Sequence, residues 1–529
     1  MMSSLVAAAS LAARERAQPW PAGAPYLVGG SVRDALLGRA IAEIDVVVPG
    51  DAAAWARGVA RLLDSRAVQI DDRIGVWRVP LADASLANAS LADGDESGQL
   101  DIARMTGPGD GDLAHDLERR DFTIDALAVP LAELNGVENE SDVASVVRAH
   151  VVDQHGGLAD LDGKRLQATG TQVFVEDPLR CLRAARLAAQ LGFDVESGTL
   201  SLIAEAADAL GQVSPERVGQ ELLRIFACDD AARGVAVMES TGLLSECFPE
   251  LDAGRGCEQR PVHRFDVFTH GLTASIVIDL LLAPEAPLDR VGAQLWSALW
   301  EGPVWDVPTV DSDLRQHFSE HGAALRLATL LHDVAKPQTR SVDADDHTHF
   351  YGHSEQGAAI AAERLRHWRL PNRLSDRVSL LIDQHLRPGQ VASPGQPPTA
   401  KALHRFQRAL GDASPDLCWL FLADSLATVG PEGLLARWPA YVAHVQHIVT
   451  WRPPVAAQRI AQLVDGRAVM EATGLGPGPD VGRILTAINE AAAAGELTSE
   501  ADAIALALTL SQAPPASAAD SESKKASRG

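Results

Sequence analysis

Apolar and polar residues alternate along the first hundred residues with the period of strands, interrupted by stretches that have the period of helices. Two short apolar runs, Tyr26–Val28 and Ile44–Val48, flank a helical pattern. Further along, apolar residues recur at three- and four-residue spacing, which is typical of amphipathic helices. The pattern predicts strands over 26–28, 44–48, 73–81 and 100–104, and helices over 31–37, 52–63, 176–190 and from 214 onward, including one over 483–494. It also predicts a helix or a frayed lead-in over 1–18, a loop over 83–99, an acidic insertion over 135–148, a loop-rich insertion over 279–320, and loop positions for His263, His347 and His349.

A glycine pair marks the first candidate site. Gly29 and Gly30 follow the first strand, so the backbone there can approach a phosphate closely. Arg33 and Asp34 lie in the short helix that follows, and Arg33 and the helix N-terminus supply positive potential. This turn is therefore a candidate for binding phosphate groups.

The second predicted strand carries Asp45, and Glu43 lies at its entry. Glu43 and Asp45 are two residues apart, so a strand places them on the same side. Asp101 lies on another predicted strand and is a candidate third carboxylate, with a solvent-facing strand position as the alternative. Mg²⁺ takes oxygen ligands and shares them with substrate phosphates, so paired carboxylates suit phosphoryl or nucleotidyl transfer.

Two arginine-rich stretches follow. Arg120 and Asp121 belong to the string E-R-R-D-F-T-I-D-A-L, where a guanidinium can bind triphosphate oxygens in a bidentate manner. The predicted helix 176–190 places Asp177 and Arg180 at three-residue spacing, so they can present an acceptor and a donor to a base. Arg183 and Arg186 continue the same series.

These strings together resemble a known family. G-G-S-V-R-D-x-L-L-G-R-x-x-x-E-x-D, R-R-D-F-T-I-D-A and E-D-x-x-R-x-x-R are similar to the signatures of class II tRNA nucleotidyltransferases (CCA-adding enzymes) and bacterial poly(A) polymerases, over about residues 20–250. The resemblance implies an α/β nucleotidyltransferase head, built on a mixed sheet with helices, followed by an all-α neck and body. It differs from the family pattern at Glu43, usually Asp, and at Asp125, usually Asn.

The resemblance also implies roles for the residues. Glu43 and Asp45 would hold Mg²⁺, while CTP and ATP and the 3′ end of tRNA would be the substrates. Arg120 would contact the nucleotide, and Asp121 would position the loop and the sugar. Asp177 and Arg180 would choose the base by Watson–Crick-like hydrogen bonds, and Arg183 and Arg186 would contact the nucleotide or hold the helix.

A second constellation occupies the later half of the chain. His332 and Asp333 are adjacent within an apolar stretch, where both are costly to bury unless they are paired or bind a metal. The order H…H-D…H…H…D resembles the HD phosphohydrolase superfamily over about residues 258–430, which implies an α-helical HD domain. Imidazole and carboxylate ligands suit a divalent transition metal (Ni, Co, Mn or Fe) that activates water for phosphoester hydrolysis. The resemblance implies His270, His332, Asp333 and Asp424 as core ligands, and His353 and His385 as ligands of a second metal or of a substrate phosphate.

Composition and net charge narrow the classes of protein to which the chain can belong. The chain has 529 residues and no uncharged apolar run long enough to span a membrane, and its five cysteines lack metal-binding spacing, which favours a reducing, cytoplasmic location. A net charge of −25 argues weakly against RNA binding but leaves room for a local arginine-lined groove. Oligomeric state cannot be read from the sequence.

The predicted domains are a nucleotidyltransferase head (1–160), a helical neck that selects nucleotides and binds RNA (161–256), an HD domain (257–430), a helical C-terminal region (431–512) and a disordered tail (513–529).

The predicted function is template-independent addition of C and A, from CTP and ATP, to the 3′ end of tRNA. A CC-adding or A-adding enzyme and a poly(A) polymerase share the same motifs and stay open. An HD phosphohydrolase whose head merely binds nucleotide or RNA is the alternative from another class. Glu43 and the acidic net charge favour it, whereas the intact set Arg33, Arg120, Asp177 and Arg180 argues against it. A non-catalytic RNA-binding protein would leave both metal constellations unexplained.

Overall fold

The computed structural model describes residues 24–41, 43–71, 75–80, 99–109, 111–134, 137, 140–259, 263–282, 309–345, 347–392, 395–434 and 437–512. The chain divides into two compact units, Met1–Cys247 and Phe248–Gly529. The predicted helix or frayed lead-in over 1–18 and the predicted disordered tail over 513–529 lie outside the described residues. The loop predicted over 83–99 also lies outside them except for its last residue, Gln99, which begins a strand.

The first unit begins with a seven-stranded sheet. Its strands are β1 (Tyr26–Val28), β2 (Glu43–Val48), β3 (Val68–Asp71), β4 (Val76–Pro80), β5 (Gln99–Arg104), β6 (Leu127–Pro130) and β7 (Val152–Asp153). They lie in the order β3-β4-β5-β2-β1-β6-β7. The pair β2 and β5 is parallel, while the other described pairs of this sheet are antiparallel. The predicted mixed sheet is thus confirmed.

The alternation of side chains along β2 decides which face of the sheet is packed. Ile44, Val46 and Val48 are buried in the larger apolar core, against Trp55 of the helix Ala52–Leu62. Val47 belongs to a smaller cluster on the other face. Because successive side chains point to opposite faces of a strand, Asp45 shares the face of Val47, away from the larger core. The helices that accompany the sheet are Gly30–Leu36, Ala52–Leu62, Leu113–Glu118, Glu140–His150 and Gly157–Asp162.

The acidic stretch 135–148, interpreted from sequence as an insertion, ends in the helix Glu140–His150, whose Val143 and Val147 pack into the larger core. The helical part of this stretch is therefore a structural layer of the sheet domain.

The rest of the first unit is helical, with one break that the sequence interpretation placed inside a helix. Asp177 has an extended backbone (φ −145°, ψ 100°) and separates a short helix from a longer one. Pro178 explains the break, because a proline disfavours helical dihedrals in the residue before it. Asp177 therefore precedes the helix instead of lying on it. This region contains helices Val173–Glu176, Leu179–Leu191, Ser197–Ala206, Pro215–Ala227, Ala231–Ser240 and Leu243–Cys247, and the two-stranded pair β8 (Arg165–Leu166) and β9 (Asp194–Val195).

The second unit is a set of packed helices with one small hairpin, β10 (Arg340–Val342) and β11 (Thr348–Phe350). The predicted helical HD region is confirmed. The segment 279–320, interpreted from sequence as loop-rich, is helical at both described ends, within Val267–Leu282 and Ser312–Leu331. His349 lies on β11, although a loop was predicted for it. Other helices are Lys336–Thr339, His353–His367, Asn372–Gln384, Arg387–Val391, Ala400–Leu410, Ser414–Leu434, Trp438–Thr450, Val455–Leu463, Gly466–Thr473, Pro479–Ala493 and Glu500–Ser511.

The last four helices have a core of their own, which includes Ile460, Val469, Ile484 and Ile488. The helix predicted over 483–494 begins earlier, at Pro479. None of the helices within the described ranges combines the length and apolarity that a membrane span requires.

Candidate active sites

Two carboxylates meet on the face of the sheet that is turned away from the larger core. Asp45 on β2 and Asp101 on β5 are direct register partners in the parallel pair. Register partners on neighbouring strands point to the same face, so the two side chains lie next to each other. Glu43 opens β2 opposite Gln99, and its side chain lies outside the described residues.

Asp101 carries a partner that sequence reasoning missed. Arg78 on β4 is the register partner of Asp101 on its other side. Its Nε and Nη2 donate to the two carboxylate oxygens of Asp101 at 2.8 and 2.7 Å. Asp101 is therefore an ion-paired carboxylate instead of a solvent-facing strand residue. Side chains alternate between the two faces of the sheet along Val76-Trp77-Arg78-Val79, so Arg78 points away from the face on which Val79 is buried. This alternation is the feature of the sequence that could have identified Arg78.

The glycine turn and Arg120 are packed directly against each other. Gly29 has a φ of +67°, and a Cβ built on it would lie 2.6 Å from Nη1 of Arg120. Arg120 also donates through Nη2 to Asp116 at 3.2 Å. Ser31, two residues after Gly29, accepts a 2.9 Å hydrogen bond at Oγ from the backbone N–H of Asp45. The turn, the arginine and the carboxylate strand thus form one continuous site.

Arg33 was predicted to supply positive potential, and it also forms ion pairs with two aspartates. It is buried, and its Nε and Nη2 donate to Asp34 at 2.9 and 3.0 Å. Its Nη1 donates to Asp125 at 2.7 Å. Burial raises the pKa of Asp125, against the opposing charge of Arg33. Asp125, one of the two departures from the family pattern, is therefore the buried partner of Arg33.

A second buried ion pair joins the sheet domain to the helix Leu179–Leu191. Nε of Arg183 donates to Oδ2 of Asp121 at 2.6 Å, and Asp121 also accepts from the backbone N–H of Phe122. Burial alone would raise the pKa of Asp121, but Arg183 outweighs it and holds that pKa below the usual value. Arg183 thus anchors the loop that carries Arg120.

The two residues predicted to read the base, Asp177 and Arg180, are both held by protein contacts. Oδ2 of Asp177 accepts from Nη2 of Arg217 at 2.8 Å, and Oδ1 accepts from the backbone N–H of Leu179 at 3.2 Å. Arg180 donates to the carbonyl oxygens of Val173 and Arg119, at 3.1 and 2.9 Å. Sequence reasoning missed Arg217, although it directly follows the Ser-Pro-Glu start of a predicted helix.

Arg186 makes contacts of another kind. Its Nε donates to the buried Glu221 at 2.8 Å and its Nη1 to Gln190 at 2.8 Å. The contact with Glu221 joins the helix Leu179–Leu191 to the helix Pro215–Ala227. Of the two roles predicted for Arg186, holding the helix is the one that its contacts serve.

In the second unit, four predicted ligands converge. Nε2 of His270 lies 3.2 Å from Nε2 of His332 and 3.1 Å from Oδ1 of Asp424. Oδ2 of Asp333 lies 3.2 Å from Nε2 of His332 and 3.5 Å from Nε2 of His270. The histidines are fully buried. Such a cluster of imidazole and carboxylate atoms fits a divalent cation, which would compensate both carboxylates.

The remaining two predicted ligands, His353 and His385, lie near the other carboxylate oxygen of Asp333, Oδ1. Nε2 of His353 and of His385 lie 3.6 and 3.8 Å from Oδ1 of Asp333, and 3.3 Å from each other. The set His270, His332 and Asp333 and the set Asp333, His353 and His385 each have the spacing of metal ligands. Asp333 is therefore shared by two adjoining groups.

Backbone carbonyls orient three of these imidazoles. Nδ1 of His332, His353 and His385 lies 2.8, 2.6 and 2.7 Å from the carbonyl oxygens of Thr329, Phe350 and Ile382. A carbonyl oxygen only accepts, so Nδ1 must carry the proton, and Nε2 faces the centre of the cluster. This is the arrangement that metal-binding histidines have in proteins.

The charges of the cluster also suit a cation. Burial favours the neutral form of His332, but Asp333 and Asp424 outweigh it and raise the pKa of His332 to about 10. Burial lowers the pKa of His385 to about 4, with His332 adding to the effect. The protonated His332 thus supplies positive charge at the position where a metal ion would supply it.

Three polar residues beside the cluster were not predicted as part of it. Nζ of the buried Lys336 lies 2.6 Å from Asp333 and donates to Oε1 of Gln259 at 2.6 Å. Nζ also lies 3.4 Å from Nε2 of His263, which lies on a loop as predicted. Lys336 lies four residues after His332 in sequence, which was a usable signal. The centre therefore contains a resident ammonium group.

Three segments of the chain match models of known protein families. Residues 25–167 match the poly A polymerase head domain, residues 192–254 match the probable RNA and SrmB-binding site of polymerase A, and residues 311–429 match the HD domain. An A-adding tRNA nucleotidyltransferase of Deinococcus radiodurans is 33% identical over 506 residues, covering 94% of this chain and 98% of the relative. A CC-adding tRNA nucleotidyltransferase of Thermus thermophilus is 31% identical, covering 91% of this chain and 93% of the relative.

The fold has a solved counterpart. The Thermotoga maritima CCA-adding enzyme, in complex with tRNA, aligns over 92% of this chain and 91% of its own with a TM-score of 0.54 and 19% identity. Fold and sites together define a polymerase A-type nucleotidyltransferase head joined to an HD domain. The chain belongs to the family of tRNA nucleotidyltransferases, a family of enzymes, as its motifs predicted.

Proposed function

We propose that this protein adds C and A nucleotides, from CTP and ATP, to the 3′ end of tRNA. The observation that carries the proposal is the row Asp45–Asp101 on one face of the sheet, with the Gly29 turn and Arg120 beside it. Carboxylates next to a phosphate-binding turn provide what transfer of a nucleotide to a hydroxyl group requires. Relatives over nearly the whole chain are tRNA nucleotidyltransferases.

In this proposal the carboxylates and Arg120 have different tasks. Glu43 and Asp45, with Asp101 as a third carboxylate, would hold Mg²⁺, which supplies charge stabilisation to the transferring phosphate when bound. Arg120 would bind triphosphate oxygens while the 3′-hydroxyl of the RNA attacks the α-phosphorus and pyrophosphate leaves. The oxygen ligands that are described suit a hard cation such as Mg²⁺.

Choice of the base would fall to Asp177 and Arg180. A carboxylate accepts hydrogen bonds only, and a guanidinium donates only, so together they match an amino group beside a ring acceptor. Cytosine and adenine both present this pattern. Arg183 would act through Asp121 by holding the Arg120 loop in register with the base.

A split activity is the second candidate. The two relatives that align over more than nine-tenths of this chain are an A-adding and a CC-adding enzyme. This observation favours addition of only part of the CCA sequence. The same carboxylates and arginines would serve either activity.

The test is incubation of the purified full chain with Mg²⁺, labelled CTP or ATP, and tRNA transcripts that end before CCA, after C or after CC. Addition of C, C and A followed by arrest supports the full activity. Incorporation of C alone or A alone supports a split activity, and a long A ladder means a poly(A) polymerase. No incorporation on any transcript overturns the proposal, and Asp45→Ala is the inactive control.

We also propose that the second unit hydrolyses phosphoesters with a divalent transition metal such as Ni²⁺, Co²⁺, Mn²⁺ or Fe²⁺. His270, His332, Asp333 and Asp424 would hold one ion, and His353 and His385 a second ion or a phosphate. Release of p-nitrophenolate from bis(p-nitrophenyl) phosphate, measured with each ion, tests this activity. His332→Ala should abolish p-nitrophenolate release and leave nucleotide addition intact, whereas Asp45→Ala should do the reverse.

The predicted domain limits remain part of this proposal. The matched segments 25–167, 192–254 and 311–429 support a head, a neck and an HD domain at about 1–160, 161–256 and 257–430.

A further inference from the structure

The tip of the hairpin formed by β10 and β11 is rich in metal-binding side chains and reads Asp343-Ala-Asp-Asp-His-Thr-His349. Its described aspartates and histidines are Asp343, Asp345, His347 and His349. The ligand atoms of the first three all lie within 4.8 Å of one another. We propose that these four residues bind a divalent transition metal ion such as Zn²⁺. None of them belongs to either candidate active site, so the site is additional to the functions proposed above.

Both histidines approach the same carboxylate oxygen. Nε2 of His349 lies 2.8 Å from Oδ2 of Asp343, and Nδ1 of His347 lies 3.6 Å from the same atom. Ligand atoms at about 2.0–2.1 Å from a tetrahedral Zn²⁺ lie about 3.3 Å from one another, between these two distances. The two imidazoles distinguish this set from an acidic turn, because imidazole combined with carboxylate favours Zn²⁺, Co²⁺ or Ni²⁺ over Mg²⁺ and Ca²⁺.

The backbone of the hairpin holds these donors in place. Val342 pairs with Thr348 in the register of the two strands, and the N–H of Asp343 donates to the carbonyl oxygen of His347 at 3.0 Å. Oδ1 of Asp343 accepts from the N–H groups of Asp345 and His347 at 3.0 and 2.9 Å. The turn therefore uses Oδ1, and Oδ2 is the oxygen that faces the imidazoles. Ligands that are already ordered lose less conformational entropy when an ion binds.

The orientation of His349 is fixed by a second contact. Its imidazole is stacked on the ring of Tyr351, with the ring centroids 5.1 Å apart and the planes 12° from parallel. A carboxylate oxygen only accepts, so Nε2 of His349 carries the proton in its hydrogen bond with Asp343. This hydrogen bond lowers the pKa of Asp343 and keeps its carboxylate ionised. A bound ion would replace that proton, which passes to Nδ1 or to solvent.

The exposure of the site determines how it has to be measured. Asp343, Asp345 and His347 are exposed, whereas the histidines of the HD centre are buried. All four donors lie within seven consecutive residues, so an unfolded chain also presents them together. An ion that binds the folded and the unfolded chain alike does not raise the unfolding temperature. The number of bound ions is therefore the suitable readout.

The experiment uses Zn²⁺ as the probe, added to the full chain after chelation. Bound Zn²⁺ per chain is counted by isothermal titration calorimetry and by native mass spectrometry. The double variant His347→Ala/His349→Ala is compared with the unaltered protein. His367→Ala is the matched control, because it removes an exposed histidine of the same unit that lies on a helix and not on the hairpin.

We expect the double variant to bind one Zn²⁺ fewer per chain than the unaltered protein, and His367→Ala to bind the same number. His349→Gln retains an N–H donor for Asp343 but removes the imidazole ligand. It should weaken binding at this site by about tenfold or more, since even the loss of an outer-shell partner of a ligand costs about that much. An unchanged number of bound ions in the double variant, or unchanged affinity in His349→Gln, overturns the proposal.

Discussion

Arg78 and Asp101 are held together by two parallel hydrogen bonds on the sheet face that also carries Asp45. Bidentate guanidinium–carboxylate pairs are among the stronger charged contacts in proteins. Here the pair occupies both oxygens of the candidate third metal ligand. Any cation that binds Asp101 has to compete with Arg78.

Replacing Arg78 should therefore change the magnesium requirement of nucleotide addition. We expect Arg78→Gln to lower the Mg²⁺ concentration for half-maximal CTP incorporation by about threefold or more, because the competing charge is removed. Arg61→Ala, on the surface of the neighbouring helix Ala52–Leu62, is the control. A higher Mg²⁺ requirement in Arg78→Gln would instead mean that Arg78 orients Asp101 for the metal.

Gly29 should not tolerate a side chain. Gly29→Ala combines a positive φ with a Cβ placed 2.6 Å from Nη1 of Arg120, so Arg120 has to move. We expect a loss of nucleotide addition of about tenfold or more, on the order of 1.4 kcal/mol in transition-state binding. Gly38→Ala is a matched control, because Gly38 has a φ of +65° but open space around its Cβ position. Equal losses in the two variants would assign the effect to backbone strain alone.

Two buried aspartates of the head, Asp125 and Asp121, should respond to pH in opposite ways. The pKa of Asp125 is raised in the folded protein, mainly by burial, so its contribution to stability is present at low pH and is lost as pH rises through the folded pKa. Asp125→Asn should therefore gain stability relative to the unaltered protein between pH 4 and pH 8. Thermal unfolding across this range measures the difference.

Asp121 provides the contrast. Its pKa is lowered in the folded protein, because Arg183 outweighs the effect of burial, so its contribution is present above the unfolded pKa and is lost in acid. Asp121→Asn should lose stability by an amount that stays constant between pH 5 and pH 8. A cost that shrinks as pH rises through this range would contradict the assignment.

Metal binding at the HD centre should stabilise the protein. Adding Ni²⁺ or Mn²⁺ after chelation should raise the unfolding temperature, and an ion at a hundred times its Kd contributes about 2.7 kcal/mol. His332→Ala should abolish this shift, because His332 belongs to the core ligand set. His367→Ala, an exposed histidine of the same unit, should leave the shift unchanged. A full metal-induced shift in His332→Ala would exclude the centre as the binding site.

The sequence alone was enough to identify the family, the two candidate metal constellations and most elements of the sheet domain. These features depend on local patterns, because apolar alternation predicts strands such as β1, and short strings such as H-D carry the chemistry. Even the break before Pro178 could have been predicted, since proline restricts the residue before it.

Only the tertiary structure decided which charged groups are partners. Arg78 with Asp101, Arg33 with Asp125 and Arg217 with Asp177 are pairs separated in sequence by 23, 92 and 40 positions. The period of a strand or helix fixes the face on which a side chain lies, but strand register and helix packing choose its neighbour. Asp333 likewise became the shared residue of two histidine groups only when the helices that carry His270, His353 and His385 packed around it.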